Sequence, residues 1–367
     1  MDRRSLLIGA GGTAALLGLG VGASIASEGS PRAYAAAAAR LRAPLPSDPP
    51  PADLIRYATL AANGHNTQPW RFRIGAEAID LLPDFTRRTP IVDPDDHHLF
   101  VSLGCAGENL AIAAAGSGRP GELTAAEDAA GLRYAFRHGP ARPDPLLAAI
   151  PRRQSTRGVY DGRAVAANLL GRLAAAAAMP GVDLMLITDR PRINRIRDLV
   201  LAGNAAQLGD PAFIRELRHW LRFNPRAAMA HGDGLYSAAS GNPVLPSWLG
   251  KPALDLFFTA RSDNARYARH IASSAGLAVF VGAGADRDHW IQVGRACQRF
   301  MLTATSLGLR HAFLNQPIEV PALRDALARE VGAPGKRPDL VLRFGYGPAL
   351  PFSLRRPVQS VLIDEGG

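Results

Sequence analysis

The chain has 367 residues, of which 47% are hydrophobic and 20% charged, and its formal net charge is +10. This is ordinary for a globular protein with one large or two moderate domains. Arginine supplies nearly all of the positive charge, because Lys251 and Lys336 are the only lysines. The arginines are dispersed and no aromatic–basic motif recurs, which argues against a nucleic-acid partner.

The N-terminus is typical of an export signal. Arg3 and Arg4 form a twin-arginine pair that precedes an apolar, glycine-rich stretch from Leu6 to Ile25. Such a pattern predicts a Tat-type signal over residues 1–26 and an extracytoplasmic or periplasmic protein. An uncleaved signal that stays as a membrane anchor is the alternative. Residues 27–52 are rich in Ala and Pro, and we expect a loosely held arm or a short helix there.

Hydrophobic periodicity and turn residues predict alternating helices and strands in the rest of the chain. The predicted helices lie at 52–62, 99–115, 145–150, 164–178, 191–203 and 290–307, and the predicted strands at 70–74, 78–82, 132–137, 183–188, 277–281 and 339–345. This alternation, with long crossovers, indicates an α/β or α+β fold. The apolar pattern of 277–281 predicts a central strand.

Residues 63–70 read Asn-Gly-His-Asn-Thr-Gln-Pro-Trp and form the most informative motif. Gly64 frees the backbone to turn, and Asn66 and Gln68 place amide groups on that turn. Pro69 is expected to hold Gln68 in an extended conformation. A polar turn that feeds a strand beside aromatic residues suits a flat heteroaromatic ligand. A surface turn followed by a core tryptophan is the alternative interpretation.

Residues 66–70 resemble the flavin loop of the FMN-binding nitroreductases, which carries Asn-x-Gln-Pro-Trp. Arg153, Ser155 and Arg157 match the Arg-x-Ser-x-Arg/Lys run that grips the FMN phosphate in that superfamily. Two guanidinium groups and a hydroxyl can hold a dianion by charge-assisted hydrogen bonds. Near the C-terminus, Arg355 matches the arginine of a Lys-x-Arg-x-Pro motif, but serine replaces the lysine, so one expected charge is missing.

The segment Gln316–Glu319 resembles the Pro-Ile-Glu-Gly loop that nitroreductases present to the flavin N5 edge, with Val320 in place of the glycine. Backbone donors there could stabilise charge on the reduced flavin, although the missing glycine would hinder a close approach. The resemblance implies an FMN cofactor and a set of binding residues. These are Asn63, Gly64, Asn66, Gln68, Trp70, Arg153, Ser155, Arg157, Gln316, Glu319 and Arg355.

The chain also repeats itself weakly. Residues 98–118 can be laid on residues 288–308 with an offset of 190 (294 − 104), which places Gly104 on Gly294. Alanine-rich helices repeat by chance, so the match alone is weak. The flavin loop, however, precedes the phosphate arginines by about ninety residues, which is longer than an ordinary loop. Ordinary nitroreductases have the reverse order, and two chains share each flavin.

Together these features resemble the Acg-type branch of the superfamily, in which one polypeptide mimics the usual homodimer. This resemblance implies a nitroreductase-like α+β fold with mixed central sheets, built from two fused halves at 53–150 and 151–363. Half one has the Gln-Pro-Trp loop and half two has the arginines. We therefore expect one complete composite flavin site, one degenerate site and a monomer.

Residues 223–263 are rich in Gly, Pro, Ser and Asn and include Tyr236 and Trp248. Long irregular segments in compact enzymes are often lids. In the Acg-type branch this region resembles a lid over the flavin, while a surface excursion without a role is the alternative.

Other candidate sites are weaker. His97 and His98 follow the aspartate-rich run Asp93–Asp96 and resemble metal ligands. Adjacent residues point in different directions, however, and such a run fits a helix N-terminus, so we expect no metal. Cys105 and Cys297 fall on the two repeat helices. We expect both to be buried and reduced, with a disulfide as the alternative.

The resemblance implies an exported FMN-dependent oxidoreductase that passes electrons through the flavin to a small aromatic or quinone-like substrate, with no side-chain nucleophile. No catalytic side chain is assigned. The alternative is a non-catalytic protein that sequesters or stores FMN beneath an occluding lid. The lysine lost at Ser353 and the scarcity of NAD(P)H outside the cytoplasm favour this alternative.

Overall fold

The structure is a computed structural model, and it describes residues 28–126, 130–250, 252 and 259–363. The predicted signal at 1–26 lies outside these residues. The α-helices of the described part are α1 (Pro31–Leu41), α2 (Pro51–Thr59), α3 (His97–Gly116), α4 (Ala167–Ala177), α5 (Arg190–Leu208), α6 (Pro211–Trp220), α7 (Pro225–His231), α8 (Ala260–Ala272), α9 (Arg287–Ser306), α10 (Gln316–Glu319) and α11 (Pro321–Glu330). Its strands are β1 (Trp70–Ile74), β2 (Ala78–Pro83), β3 (Gly121–Ala125), β4 (Leu132–Phe136), β5 (Val182–Ile187), β6 (Leu221–Arg222), β7 (Leu235–Tyr236), β8 (Gly276–Gly282), β9 (Arg310–Phe313) and β10 (Pro338–Gly345).

Two four-stranded sheets share one topology. Their strand orders are β1-β2-β4-β3 and β5-β8-β10-β9. When the strands are numbered within their own sheet in chain order, each sheet therefore reads first, second, fourth, third. All strand pairs within these two sheets are antiparallel. The recurrence of a complete strand order is what an internal duplication produces.

The α+β class is confirmed, but the expected mixed sheets need a correction. Parallel pairing in the described part is confined to β6 with β7 and to single bridges, Phe72 with Leu362 and Ser155 with His311. Each bridge adds to an edge strand of one four-stranded sheet, β1 or β9. A segment that crosses from elsewhere in the chain can pair in parallel, whereas the short β1–β2 turn imposes an antiparallel hairpin.

Helices α3 and α9 cross at the centre of the molecule. Both have 20 residues, and their first and last residues differ by 190 (287 − 97 and 306 − 116). A Cβ atom on Gly104 would lie 2.1 Å from the carbonyl oxygen of Ile291, and one on Gly294 would lie 2.1 Å from that of Val101. Only glycine permits so close an approach. Because Ile291 and Val101 are also 190 apart, the contact is reciprocal, as in the isologous interface of a two-fold dimer.

The main core lies between the helix pair and the two sheets. Trp70, Phe72, Phe280, Phe300 and Phe344 are all fully buried within it. Among the described helices, only α3 is long and apolar enough to cross a membrane, but 83% of its apolar window is buried inside the protein. Its apolar character therefore reflects its position in the core. A second cluster lies between the other face of the β5–β9 sheet and helices α5, α8 and α11.

The predicted arm is more ordered than expected. It contains α1, whose first turn is capped by Ser30, since the Ser30 hydroxyl accepts a hydrogen bond from the amide of Ala33. The ring of Tyr34 packs on that of Tyr236 with centroids 4.4 Å apart, and its hydroxyl donates to the carbonyl of Phe352 at 2.7 Å. The arm is thereby fastened to the 223–263 segment and to the C-terminal segment.

The longer predicted elements are present within a few residues of their expected bounds. Residues 147–152 form a 3-10 helix where a short helix was expected. Sequence patterns missed helices α6, α7, α8, α10 and α11 and strands β3, β6, β7 and β9. Most of these are short, and several are held by contacts from distant residues, which local patterns do not record.

Candidate functional site

The loop at residues 63–70 is strained. His65, Asn66 and Gln68 have φ angles of 46°, 56° and 55°. The left-handed region is costly for residues other than glycine and is concentrated at functional sites in proteins. Asp96 is the only other non-glycine residue with a positive φ in the described part of the chain. Three of the four described non-glycine residues with a positive φ therefore lie in the predicted ligand loop.

Gln68 departs from the extended conformation that Pro69 predicts. Its backbone amide donates to Oδ1 of Asn63 at 2.9 Å. Its side-chain amide donates to the carbonyl of Gly232, and its side-chain oxygen accepts from the amide of Arg356, both at 2.9 Å. These contacts over long sequence separations outweigh the local preference of a residue before proline.

Asn66 forms a second set of long-range contacts. Its Nδ2 donates to the carbonyls of Gly234 at 3.0 Å and Leu354 at 3.3 Å. Its Oδ1 accepts from Nη1 of Arg355 at 2.9 Å. Asn66 and Gln68 thus tie the loop to the 232–234 turn and to the C-terminal segment. The two side-chain amides therefore hold the loop in place and do not line the cavity.

Arg153 and Arg355 meet behind the same loop. Arg153 donates to the carbonyl of Leu60 at 2.7 Å, and Arg355 donates to the carbonyls of Thr59, Leu60 and Ala61. These carbonyls lie at the last residue of helix α2 and just after it, where the helix dipole favours positive charge. Burial lowers the pKa of Arg153 to about 10, and burial together with neighbouring arginines lowers that of Arg355. The sequence-predicted pair therefore comes together, but in contact with protein carbonyls.

A cavity of about 740 Å³ opens on the other side of the loop. Its volume lies within the range of pockets that hold cofactors and drug-sized ligands. One wall comes from half one, with residues 62–65 and the α3 side chains His98, Ser102 and Cys105. The opposite wall comes from half two. It includes Arg157, Tyr267, Phe313, Asn315, Gln316 and Glu319, with Phe223, Leu235, Leu245 and Leu249 from the segment predicted as a lid.

The predicted site residues divide into two groups. Asn63, Gly64, Arg157, Gln316 and Glu319 line the cavity. The others lie behind its wall, which corrects the expectation that all of them touch a ligand. This second group consists of Asn66, Gln68, Trp70, Arg153, Ser155 and Arg355.

Packing explains why Trp70 and Ser155 do not line the cavity. Trp70 begins β1 and is fully buried in the core, because alternate residues of a strand face the same side of the sheet. Ser155 pairs with His311 of β9 in a parallel bridge, which holds its backbone against the second sheet.

Gly64 leaves open space at the cavity wall. A Cβ atom on it would meet no atom of the described residues within 4 Å. Its φ angle is not positive, so the turn itself does not require glycine, contrary to the role expected for it. A side chain at this position would take up part of the volume of the cavity.

Two polar groups at the cavity lack protein partners. The side-chain oxygen of Gln316 is buried and accepts no hydrogen bond from any described residue. Arg157 makes no hydrogen bond or ion pair within the described ranges, and burial lowers its pKa. A buried acceptor without a partner is costly unless a ligand satisfies it, and the half-buried Arg157 is free to bind an anion or a carbonyl group.

Glu319 is the acidic group of the same wall. It accepts a hydrogen bond from Nε2 of Gln207 at 2.6 Å, and its other oxygen lies 3.6 Å from Nε2 of His98. Burial raises the pKa of Glu319 to about 7 and lowers that of His98 well below its usual range. This pair therefore contributes less charge to the cavity than an exposed acid and base would.

The aspartate-rich run before α3 has a structural role. The carboxylate of Asp93 accepts from the backbone amides of His98 and Leu99 at 2.9 and 3.0 Å, as the helix N-terminus interpretation predicted. No group of three or more His, Cys, Asp or Glu side chains among the described residues could hold a metal ion. Cys105 and Cys297 are free and buried, and burial raises the pKa of Cys105 to about 12.

Larger residues stand at the positions on α9 that correspond to two small wall residues of α3. With the offset of 190, Ser102 and Cys105 correspond to Gln292 and Arg295. Arg295 extends to Glu108 at 2.9 Å and to Gln292 at 3.3 Å. Sequence analysis did not identify Ser102 as a wall residue, although this contrast between small and large residues across the repeat was visible.

The chain is similar to two mycobacterial proteins over most of its length. The chain is 28% identical over 327 residues, 84% of its own length and 90% of theirs, to "Putative NAD(P)H nitroreductase" proteins of Mycobacterium tuberculosis strains CDC 1551 / Oshkosh and ATCC 25618 / H37Rv. No protein-family model matches.

Solved structures with lower similarity include a nitroreductase with bound FMN from Desulfitobacterium hafniense. It is 15% identical with a TM-score of 0.37, over 59% of this chain and 96% of that one. The FMN-dependent nitroreductase NfnB from Mycobacterium smegmatis, in complex with NADPH, is 14% identical with a TM-score of 0.37, over 60% and 92%. Its Asn-x-Gln-Pro-Trp loop, and a match that spans nine-tenths of the mycobacterial proteins, make the chain similar to the nitroreductase superfamily over most of its length.

Proposed function

We propose that this protein is an FMN-binding oxidoreductase of the nitroreductase type, with one composite flavin site in each chain. The cavity between the two halves carries this proposal. Residues 62–65 of half one and residues 313–319 of half two face each other across it. The mycobacterial relatives are named as NAD(P)H nitroreductases, which is consistent with a flavin-dependent reduction.

The unsatisfied groups of the cavity fit a flavin. An isoalloxazine ring has an N–H donor flanked by two carbonyl oxygens, and FMN adds a phosphate dianion. Gln316 supplies a buried acceptor, and Arg157 supplies a cation that can donate to a carbonyl edge or to a phosphate. Gly64 leaves room for a flat ring against the loop.

Bound FMN would supply the transfer of a hydride or of electrons. The chain's own residues bind the ring, fix its orientation and exclude water. The apolar side chains of Phe223, Leu235, Leu245 and Leu249 form the wall that a planar, apolar second substrate such as a quinone would contact.

Only one site is expected in each chain. Arg295 and Gln292 stand at the positions equivalent to Cys105 and Ser102, and Arg295 donates hydrogen bonds to Glu108 and Gln292. We infer a stoichiometry of one FMN for each polypeptide, in an Acg-type monomer that mimics the homodimer of ordinary nitroreductases. Export by the twin-arginine signal belongs to the same proposal and is supported by the sequence at Arg3 and Arg4.

The first experiment is the absorption spectrum of the purified full chain, before and after incubation with FMN. A yellow protein that retains one equivalent of FMN through gel filtration is the expected result. A folded protein that stays colourless and retains no flavin would refute the proposal.

Sequestration of FMN is the second candidate function, and the tethering of the lid segment favours it. Gln68 holds Gly232, and Asp233 forms ion pairs with both Arg87 and Arg222. A closed segment of this kind can exclude a bulky reductant. NADPH and dithionite should be mixed separately with the FMN-loaded protein while the flavin band is followed. Bleaching by NADPH supports the oxidoreductase, and bleaching by dithionite alone supports sequestration.

A further inference from the structure

Arg157 lies in an irregular segment outside any helix or strand. The next residue is Gly158, and glycine allows the backbone more conformations than any other residue. A flexible cation would bind a ligand weakly, because ordering it on binding costs conformational entropy. The amide of Thr156 donates to the carbonyl of His311 at 2.8 Å, which fixes the chain before Arg157. The peptide groups on either side of Arg157 need further support.

Arg343 provides that support from β10. It is 1% exposed, and its Nη2 donates to the carbonyls of Thr156 at 3.1 Å and Gly158 at 2.7 Å. These carbonyls flank Arg157. Its Nη1 donates to the carbonyl of His270 at 3.1 Å and lies 3.4 Å from Oγ of Ser274. One guanidinium therefore clamps the backbone on both sides of Arg157 and attaches it to helix α8.

Burying this cation is costly. Its hydrogen-bond partners are all neutral, and burial lowers the pKa of Arg343. The ring of Tyr160 compensates in part, because it stacks 4.0 Å from the guanidinium carbon. The hydroxyl of Tyr160 also donates to the carbonyl of Thr156 at 3.0 Å. Two side chains thus converge on one carbonyl next to Arg157.

We propose that Arg343 is a positioning residue that, with Tyr160, presents the guanidinium of Arg157 to an anionic or carbonyl group of the cavity's ligand. The inference rests on the proposed function, because that ligand is taken to be FMN. Arg343 does not line the cavity and touches no ligand there. Its effect on binding therefore passes through Arg157.

A double-mutant cycle on the full chain tests this coupling. FMN affinity is measured by fluorescence quenching for the original protein, Arg157→Met, Arg343→Met and the double variant. We expect each single variant to bind FMN about tenfold more weakly or worse, from the loss of charged hydrogen bonds. The double variant should bind within about twofold of Arg157→Met. Losses that multiply would overturn the proposal, because the two arginines would then act independently.

Two further variants separate positioning from folding. Tyr160→Phe keeps the stacked ring and removes only the hydroxyl that reaches Thr156, and it should weaken FMN binding by several-fold while the Tm is retained. Arg190→Met is the matched control, because Arg190 also donates to backbone carbonyls, those of Ala272 and Ser274, but lies outside the cavity wall. It should leave FMN affinity unchanged.

The outcomes distinguish failure of the proposed function from failure of the positioning role of Arg343. If the original protein binds no FMN, the proposed function fails. If it binds FMN and Arg157→Met weakens binding, but Tyr160→Phe and the folded Arg343→Met variant bind normally, the positioning role fails and the proposed function survives.

Discussion

Gly104 and Gly294 make the same contact in opposite directions. Each would place a Cβ atom 2.1 Å from a carbonyl oxygen of the other long helix, that of Ile291 for Gly104 and that of Val101 for Gly294. Corresponding residues of α3 and α9 therefore meet across a local two-fold relationship. The cavity lies beside this crossing, since Ser102 and Cys105 of α3 form part of its wall.

The helix crossing should not tolerate a methyl group. We expect Gly104→Ala and Gly294→Ala each to lower the free energy of unfolding by about 1–3 kcal/mol or more, because a backbone carbonyl cannot move aside as a flexible side chain can. Urea denaturation measures the effect. The matched control is Gly171→Ala on α4, where a Cβ meets no described atom within 4 Å and helix propensity favours alanine. An unchanged stability of both crossing variants would contradict this packing.

We expect the ligand to occupy the open space next to Gly64. Gly64→Val fills it without a clash with described protein atoms, so the stability without ligand should change by no more than about 0.5 kcal/mol. FMN binding should weaken about tenfold or more, which corresponds to about 1.4 kcal/mol. Fluorescence titration gives the affinity, and Gly171→Val controls for the added side chain. Unaltered affinity in Gly64→Val would place the ring elsewhere.

Glu319 should make stability depend on pH. Burial raises its pKa from 4.5 to about 7, so the folded protein holds this proton more tightly than the unfolded chain does. The resulting stabilisation is complete below pH 4.5 and is lost as the pH rises through 7. The difference in free energy of unfolding between the original protein and Glu319→Gln should therefore fall over that interval and level off above it.

Urea denaturation at several pH values would show this trend. Burial also raises the pKa of Asp339 to about 7, but both proteins keep Asp339, so its contribution cancels in the difference. A difference that does not vary with pH would mean that Glu319 is not desolvated as the structure indicates.

The two thiols should be protected in the folded protein. Cys105 and Cys297 are at most 1% exposed, and burial raises the pKa of both, so neither forms the reactive thiolate readily. We expect no reaction with Ellman's reagent in the native state and two thiols per chain in guanidinium chloride. No thiols after unfolding without reductant would instead reveal the disulfide that sequence analysis left as the alternative.

The sequence predicted those features that local patterns or repeats encode. The offset of 190 anticipated the matching bounds of α3 and α9, and the composition of residues 63–70 identified the loop beside the cavity. It did not predict the φ of Gln68, because the partners that hold it, Gly232 and Arg356, lie 164 and 288 residues away. For the same reason, motif matching placed Arg355 at a ligand, whereas the fold directs it to the end of α2.

Covalent fusion of the halves has a consequence for how this site can evolve. In a homodimer every substitution is made twice, so both pockets must change together and their assembly weakens on dilution. Here Ser102 could diverge from Gln292, and Cys105 from Arg295, because a substitution in one half leaves the equivalent position of the other half unchanged. Under the proposed single-site monomer, one pocket could thus be lost while the other is kept, and the retained pocket would not depend on protein concentration.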